Sequence, residues 1–322
     1  MAVTDVSVII VSWNTRDILR DCLESVYAQT CNVSFEVIVI DNASADGSTE
    51  MVRRDFPTVR LIENTDNRGF AAANNQGLQL AAGRYVLLLN SDTVVLDHAI
   101  DRTVAFADRV SQAAVIGCRV LNRDRTLQPT CFMYPSLLNM AIFALGLNRL
   151  LPGSRFFGRE RMTWWKRDDE REVEVVTGCF MLVRRTAIDQ VGVMDESFFM
   201  YGEETDWCFR FRQAGWKVLF APRGEIVHLG GASSSQAANE MTLQLKAGVL
   251  QFLCKHDTRA RYISSCMLMG VFLALRIPFW AAKAILSRRD RRNARSHLFT
   301  YAHGLGRIMR GWKGLRGVPS VQ

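Results

Sequence analysis

No apolar run in this sequence is followed by the Gly-x-Gly-x-x-Gly turn of dinucleotide-binding proteins; the turn after the first run reads Ser12-Trp13-Asn14-Thr15. Glycines in that fingerprint let the backbone approach a pyrophosphate, so their lack argues against a nicotinamide-dependent dehydrogenase. Paired cysteines are missing as well. The eight cysteines include no Cys-x-x-Cys, and several lie inside apolar runs, as buried free thiols of a reducing compartment do. The first residues lack the basic n-region and small-residue cleavage site of a signal peptide, so the domain is expected to stay in the cytosol. Most of the chain also lacks an excess of positive charge. Nine Arg and Lys against the single acid Asp290, all from Ser287 onward, carry the whole formal charge of +8. The residues before them are balanced, which argues against a nucleic-acid groove across the main body. A basic end of this kind suits an anionic membrane surface or a phosphorylated partner.

What is present is a series of short apolar runs, in a chain whose 322 residues allow one large domain or two of ordinary size. Val6–Val11, Phe35–Ile40, Val59–Ile62 and Tyr85–Leu89 read as buried strands. Between them, one-sided apolar stripes such as Ile18, Leu19, Cys22, Leu23, Val26 and Tyr27 predict helices after Thr15, near 49–56 and over 70–82. Units this short imply parallel strands joined by right-handed crossovers, hence a doubly wound α/β sheet. Ligands of such sheets bind at the carboxyl ends of the strands. Those ends carry Trp13, Asp41 and Asp92: an aromatic to stack on a base, a carboxylate for a base or ribose edge, and a carboxylate for a metal. Taken alone, Asp92 reads first as the cap of the helix expected over 97–109.

Further on, 113–120 reads as a strand, 122–126 as a turn and Ser136–Leu151 as an apolar helix. The cluster Met162-Thr-Trp164-Trp165-Lys-Arg has two readings: a mobile segment near an acceptor, or a helical insertion packed by its own aromatics. Strand runs resume at 173–176, 177–183 and 215–220, and Val227-His228 heads a glycine and serine loop. Gly202-Glu203-Glu204-Thr-Asp206 opens a helix with three acids in its first turn; part of that clustering complements the helix dipole, and Glu203 or Asp206 can do the capping. Gln236–Cys254 reads as an amphipathic helix. Beyond it, the 14 uncharged residues Tyr262–Leu275 fall short of the roughly 20 that span a bilayer, with Arg276 and Pro278 expected to interrupt any extension. An interfacial helix anchored by Phe279 and Trp280 fits this region, as does a helix packed on the main domain or on a second subunit.

Seven pieces in order carry a resemblance: Val8-Ile-Ile-Val-Ser-Trp-Asn14, Val39-Ile-Asp41-Asn-Ala-Ser44, Asn67-Arg-Gly-Phe-Ala-Ala-Ala-Asn74, Leu89-Asn-Ser-Asp92, Thr177-Gly-Cys-Phe-Met-Leu-Val-Arg-Arg185, Phe199-Met-Tyr-Gly-Glu-Glu204-Thr-Asp206 and His228. Together they resemble the family 2 glycosyltransferases, in particular the bacterial rhamnosyltransferase-like and galactofuranosyltransferase-like branch, over roughly residues 5 to 235. The resemblance implies the GT-A fold, a doubly wound, mixed but mainly parallel sheet flanked by helices. Its catalytic domain would span 1–235, divided into a nucleotide-binding half (1–120) and an acceptor and catalytic half (121–235). A helical, amphipathic and basic C-terminal region would follow over 236–322.

That resemblance also implies chemistry: inverting, metal-dependent transfer from dTDP-rhamnose or a UDP-hexose to a cell-envelope or polyprenyl-linked saccharide. Ser12, Trp13, Asn14 and Asp41 correspond to the wall of the nucleotide pocket. Asn67, Arg68 and Gly69 correspond to the loop under the ribose and diphosphate, and Asn74, Asn90 and Ser91 to the remaining donor-binding positions. Asp92 stands at the last acid of the metal-binding Asp-x-Asp element, with Asn90 at its first position, and His228 at the histidine that completes the metal site in some relatives. Mn²⁺ or Mg²⁺ is the implied cofactor. Glu204, at the second acid of the paired-acid motif, is the candidate general base, with Glu203 and Asp206 as alternatives. The implied location is peripheral, on the inner face of the cytoplasmic membrane through 257–322, and a homo-oligomer is left open. A sugar-nucleotide-binding scaffold with a degenerate site is the competing reading, motivated by Asn90.

Overall fold

The structure, a computed structural model, describes residues 4–231, 238–287 and 290–309. The chain divides into two units. One comprises Met1–Tyr134, Arg161–Phe199 and Glu203–Ser235; the other comprises Pro135–Glu160, Met200–Gly202 and Gln236–Gln322.

In the first unit the apolar runs form the expected repeats. Strands Val6–Ser12 (β1), Phe35–Asp41 (β2), Arg60–Glu63 (β3) and Tyr85–Asn90 (β4) alternate with helices Arg16–Gln29 (α1), Ser48–Asp55 (α2) and Gly69–Leu80 (α3). These four strands pair parallel, in the order β3-β2-β1-β4. After β4 the structure departs from expectation. Asp92 is followed by another strand, Thr93–Leu96 (β5), and the helix Ala99–Arg109 (α4) starts only after His98. The β-branched Thr93-Val-Val run favours extension over helix. Asp92 therefore caps no helix; its turn joins two strands.

The sheet continues with Ala113–Leu121 (β6) and, after the short strands Cys131–Phe132 (β7), Arg171–Glu172 (β8) and Val175–Val176 (β9), with Phe180–Arg184 (β10) and Lys217–His228 (β11). Its full order is β3-β2-β1-β4-β10-β6-β11-β5, with β8 on β11, while β7 and β9 form a separate pair. β10 runs antiparallel between β4 and β6, and β5 antiparallel to β11, which makes the sheet mixed but mainly parallel. β11 absorbs an irregularity between Phe220 and Glu225 and continues, so His228 ends a strand rather than heading a loop.

Alternation along the strands divides the core into two layers. Val8, Ile10, Val39 and Leu87 pack with Leu19 and Leu23 of α1, Val52 of α2 and Val104 of α4. Ile9, Ile38, Val86 and Leu88 face the other way, onto Ala73 of α3, Ile188 of the helix Arg185–Val191 and Trp207 and Phe211 of the helix Glu203–Gln213. The tryptophan cluster belongs to this second layer. Trp165 is buried, meets Phe220 edge-on at 4.9 Å and lies under the Arg171 guanidinium, which also covers Trp164. Arg167 is fully buried and donates to the carbonyls of Arg161 and Trp165. The expectation of a mobile segment at 162–167 is thus corrected: these residues are anchored in the core. Five thiols, Cys22, Cys118, Cys131, Cys179 and Cys208, are also buried and unpaired.

The second unit is helical. The single helix expected over 136–151 is two, Leu137–Ala144 (α5) and Leu147–Leu150 (α6), because Gly146 adopts a left-handed φ of 72° between them. Counting Arg185–Val191 and Glu203–Gln213 as α7 and α8, there follow Ala238–His256 (α9), Arg259–Ala274 (α10), Arg276–Leu286 (α11) and Arg291–Met309 (α12). Only Leu275 separates α10 from α11, and Pro278 falls in the first turn after it, where its missing N–H costs least. Arg276 and Pro278 therefore do not end the apolar stretch. A helix of 28 residues, Arg259–Leu286, is long and apolar enough to cross a membrane by length and composition. Inward, Phe272 stacks on Phe143 at 5.1 Å beneath the Arg276 guanidinium. Outward, Ile263, Met267, Val271, Leu275 and Phe279, each four residues from the last, form one exposed apolar ridge. Of the basic residues from Ser287 onward, Arg291, Arg292, Arg295 and Arg307 belong to α12, while Arg288, Arg289, Arg310, Lys313 and Arg316 lie outside the described residues.

Replacing Trp165 by Ala should cost about 3–5 kcal/mol, the usual loss for a buried aromatic. Urea unfolding measures it, and a midpoint unchanged from wild type would contradict the anchored cluster.

Candidate functional site

Parallel register sets the ends of β1, β2 and β4 side by side: Ser12 pairs with Asp41, and Val11 with Asn90. Each chain then turns sharply and exposes polar groups along one edge. Ser12 is buried, its Oγ 3.0 Å from Thr15 Oγ1, and Thr15 donates in turn to Ser91 Oγ. This hydroxyl chain ties the turn after β1 to the turn after β4. Asn14 takes a left-handed φ of 51°; its N–H donates to Ser44 Oγ and its Oδ1 accepts from the Ala45 N–H. Trp13, between them, is half-buried.

Asp41 ends β2 at 3% exposure. Its Oδ2 accepts the Ser44 N–H at 2.8 Å, whereas Oδ1 is buried without a hydrogen-bond partner. Burial pushes the carboxyl above the usual range, and the bonds from Ser44 offset only part of the rise. An acceptor left unsatisfied costs free energy unless a ligand donor meets it.

The loop before α3 is organised by Gly69. Its φ is +80°, a Cβ there would sit 2.2 Å from the Phe199 carbonyl oxygen, and that oxygen accepts the Phe70 N–H at 2.7 Å. Asn67 Oδ1 accepts the Gly69 N–H, and Asn42 Nδ2 donates to the Gly69 carbonyl. Arg68 stands exposed at the N-cap of α3. Asn74 does not join this surface. It is buried and donates to Phe70 O within its own helix.

Asp92 and His228 meet at the opposite end. Pairing of β5 with β11 sets His228 against Thr93, and Asp92 Oδ1 lies 3.1 Å from His228 Nε2. Asn90 Nδ2 approaches the same nitrogen at 3.2 Å. His228 Nδ1 lies 2.6 Å from Gln128 Oε1. The amide of Gln128 is oriented by its own donations, from Nε2 to Asn122 Oδ1 and to the His228 carbonyl. An oxygen therefore faces Nδ1, an arrangement that suits a proton on Nδ1, and in that neutral tautomer Nε2 turns a lone pair toward Asp92. A carboxylate oxygen and an imidazole lone pair converging this closely suit a divalent cation. Among the described residues no group of three or more His, Cys, Asp or Glu could hold a metal, so such an ion would need further oxygen ligands from a substrate.

The acids of α8 separate by environment. Asp206 is buried, and Arg210 binds its carboxylate at 2.8 Å while also donating to the carbonyls of Val191 and Val193. The Arg210 pair thus engages the Asp206 carboxylate at its buried position. Glu203 is buried and Glu204 half-buried. The nearby Cys179 thiol is pushed up to about 12, chiefly by burial, with the carboxylates of Asp92 and Glu204 contributing to the rise. Gln128 had no place in the sequence reading. Its only signal there was the turn over 122–126 next to a strand end.

With this arrangement defined, the description "Glycosyltransferase like family 2" matches residues 4–247. The chain belongs to that family. An N-acetylglucosaminyl-diphospho-decaprenol L-rhamnosyltransferase of Mycobacterium tuberculosis is 31% identical over 206 residues, 60% of this chain and 66% of the relative. The low-salt glycan biosynthesis hexosyltransferase Agl10 of Haloferax volcanii is 25% identical over 65% of this chain and 62% of its own length. The chain thus spans just under two thirds of these family members. A mannosyltransferase of Pyrobaculum calidifontis, solved with GDP-Man and Mn²⁺, shares the fold at a TM-score of 0.57 and 16% identity, covering 97% of this chain and 88% of the other. GalNAc-T7, solved with UDP, GalNAc and Mn²⁺, shares it at 0.53 over 79% and 51%. The GT-A architecture expected from the sequence is the one observed.

Asp41 makes this family member's stability depend on pH in a definite sense. Its raised value means that wild type loses stability as pH climbs from the ordinary 3.8 through the higher one, a loss that Asp41→Asn lacks. Urea midpoints of the two proteins should diverge in favour of the variant as pH rises above the ordinary 3.8. A constant difference over that rise would exclude a buried, destabilising carboxylate.

Proposed function

We propose that the chain is an inverting glycosyltransferase that moves rhamnose from dTDP-rhamnose, or a hexose from a UDP-sugar, onto a cell-envelope saccharide or a glycan carried on a polyprenyl diphosphate. The observation that carries this reading is the convergence of Asp92 Oδ1 and His228 Nε2 at 3.1 Å. The unmatched acceptor of Asp41, on the same edge of the sheet, supports a donor site beside it. The decaprenyl-linked substrate named for the Mycobacterium relative supports the lipid-linked acceptor.

In this reading Asp41 accepts a hydrogen bond from the base or ribose through Oδ1, and Trp13 stacks on the base. Ser12, Asn14 and Ser91 shape the turns around the nucleotide. Asn67 and Gly69 hold the loop beneath the diphosphate, and the Arg68 guanidinium offsets its charge. Asp92 and His228, with Asn90 beside them, would hold a divalent cation, and the mixed nitrogen and oxygen set favours Mn²⁺ over Mg²⁺. Bound there, a cation would supply Lewis-acid stabilisation of negative charge on the leaving diphosphate. Glu204 takes the proton from the acceptor hydroxyl as it attacks from the face opposite the leaving group, with Glu203 and Asp206 as the alternative acids of the same turn. The exposed ridge Ile263–Phe279 and the arginines of α12 support peripheral attachment at the inner face of the cytoplasmic membrane.

One observation favours a second reading, a sugar-nucleotide-binding scaffold: Asn90 stands where a second acid would strengthen cation binding. Incubation with dTDP-rhamnose or UDP-hexoses, Mn²⁺ and a polyprenyl-diphosphate-linked GlcNAc, followed by mass spectrometry of the lipid product, separates the two. Turnover abolished by Asp92→Ala supports the enzyme, and no transfer from any donor supports the scaffold. Glu204→Gln should keep the wild-type melting temperature and lower kcat by about 10²- to 10⁴-fold; full activity in that variant would remove Glu204 as base. In vesicle flotation, wild type should rise with anionic liposomes and a Val271→Ser/Phe279→Ser protein should stay behind. Equal flotation of both would count against the ridge.

A further inference from the structure

We propose that Gln128 is the positioning residue of the metal corner: its Oε1 holds the His228 proton on Nδ1 and so keeps the Nε2 lone pair turned toward the cation beside Asp92. The proposal rests on the reading of Asp92 and His228 as metal ligands and adds to it the group that decides whether the histidine can ligate at all.

A neutral imidazole has one proton and two nitrogens to place it on. At His228 the two choices are unequal. A proton on Nε2 would point at Asp92 Oδ1, 3.1 Å away, and make a charge-assisted hydrogen bond that closes the corner to a cation. A proton on Nδ1 leaves Nε2 open. Only an acceptor at Nδ1 can compete with the Asp92 carboxylate, and Gln128 Oε1 is that acceptor, at 2.6 Å. Asn90 Nδ2, a donor 3.2 Å from Nε2, favours the same tautomer.

Gln128 can act this way because its amide cannot easily turn over. Its Nε2 donates to Asn122 Oδ1 at 2.8 Å and reaches the His228 carbonyl at 3.3 Å. Asn122 is oriented in turn by donating to Thr126 Oγ1 at 2.9 Å. The hairpin after β6 fixes both residues through Asn122 N–H to Thr126 O and Gln128 N–H to Val120 O. Acceptors on the far nitrogen of metal-bound histidines set ring orientation and raise ligand basicity, and their removal typically lowers metal affinity by 10- to 100-fold.

The test compares wild type, Gln128→Leu, Gln128→Glu and His228→Ala. ¹⁵N NMR of the metal-free proteins at about pH 8.5, where a free imidazole is neutral, reads the tautomer directly, with His228→Ala assigning the signal. Wild type and Gln128→Glu should show the Nδ1–H form, and Gln128→Leu should shift to Nε2–H. Mn²⁺ binding in the presence of UDP or dTDP, followed by electron paramagnetic resonance, should weaken by about 10- to 100-fold in Gln128→Leu and recover in Gln128→Glu. If His228→Ala binds Mn²⁺ as wild type does, the metal role of His228 fails and this proposal with it. If His228→Ala weakens binding but Gln128→Leu keeps both wild-type affinity and the Nδ1–H tautomer, only the role of Gln128 is overturned. Should Gln128→Leu fold poorly, a Gln128→Glu protein with an Nε2–H ring would overturn it equally.

Discussion

The antiparallel pairing of β5 with β11 is the constraint on which the candidate site depends. It sets His228 against Thr93, one residue beyond Asp92, and so turns two side chains 136 positions apart into neighbours. The parallel half of the sheet supplies what stands beside them, because its register brings Ser12, Asp41 and Asn90 to one edge. Neither half suffices alone. The parallel strands create the crevice usual for an open α/β sheet, and the antiparallel additions close one end of it with an imidazole.

Burial and hydrogen bonding then sort similar side chains into different tasks. Asp206 and Glu204 lie two residues apart on one helix, yet Asp206 is held by Arg210 while Glu204 lies within electrostatic reach of the same thiol as Asp92. Asn67 precedes the helix Gly69–Leu80 and Asn74 lies in its middle; the first shapes the loop and the second bonds within the helix. Residue type announces chemistry, and partners decide whether that chemistry is available.

The first four strands and their helices were legible because each is an apolar run bounded by polar turns, and the ordered motifs along 5–235 led to the family. The turn carrying Asp92 was not. A four-residue strand squeezed between a polar tripeptide and a helix has too little pattern of its own, so Asp92 reads as a helix cap and Thr93–Leu96 does not stand out as a strand. His228 was visible as a residue but misplaced in a loop, since the irregularity at Phe220–Glu225 hides the continuity of β11. The Trp164-Trp165 cluster was ambiguous because its partners, Phe220 and Arg171, come from elsewhere in the chain or act only through stacking. Gln128 is the extreme case: nothing local distinguishes a glutamine after a turn, and its importance arises from an atom 100 residues away.

The buried thiols have a practical corollary. Burial pushes Cys22, Cys131, Cys179 and Cys208 up to about 12 and Cys118 well above its ordinary value, so none presents a thiolate near neutral pH. Of the other three, Cys31 and Cys254 are exposed and Cys266 is half-buried; Cys31 falls in the first unit, Cys254 and Cys266 in the second. The native chain thus carries one fully exposed attachment point on each body, with Cys266 partly covered on the second. A pair of dyes or spin labels placed there would report the distance between catalytic and helical units, and its change when donor or lipid is added, without engineering a new residue.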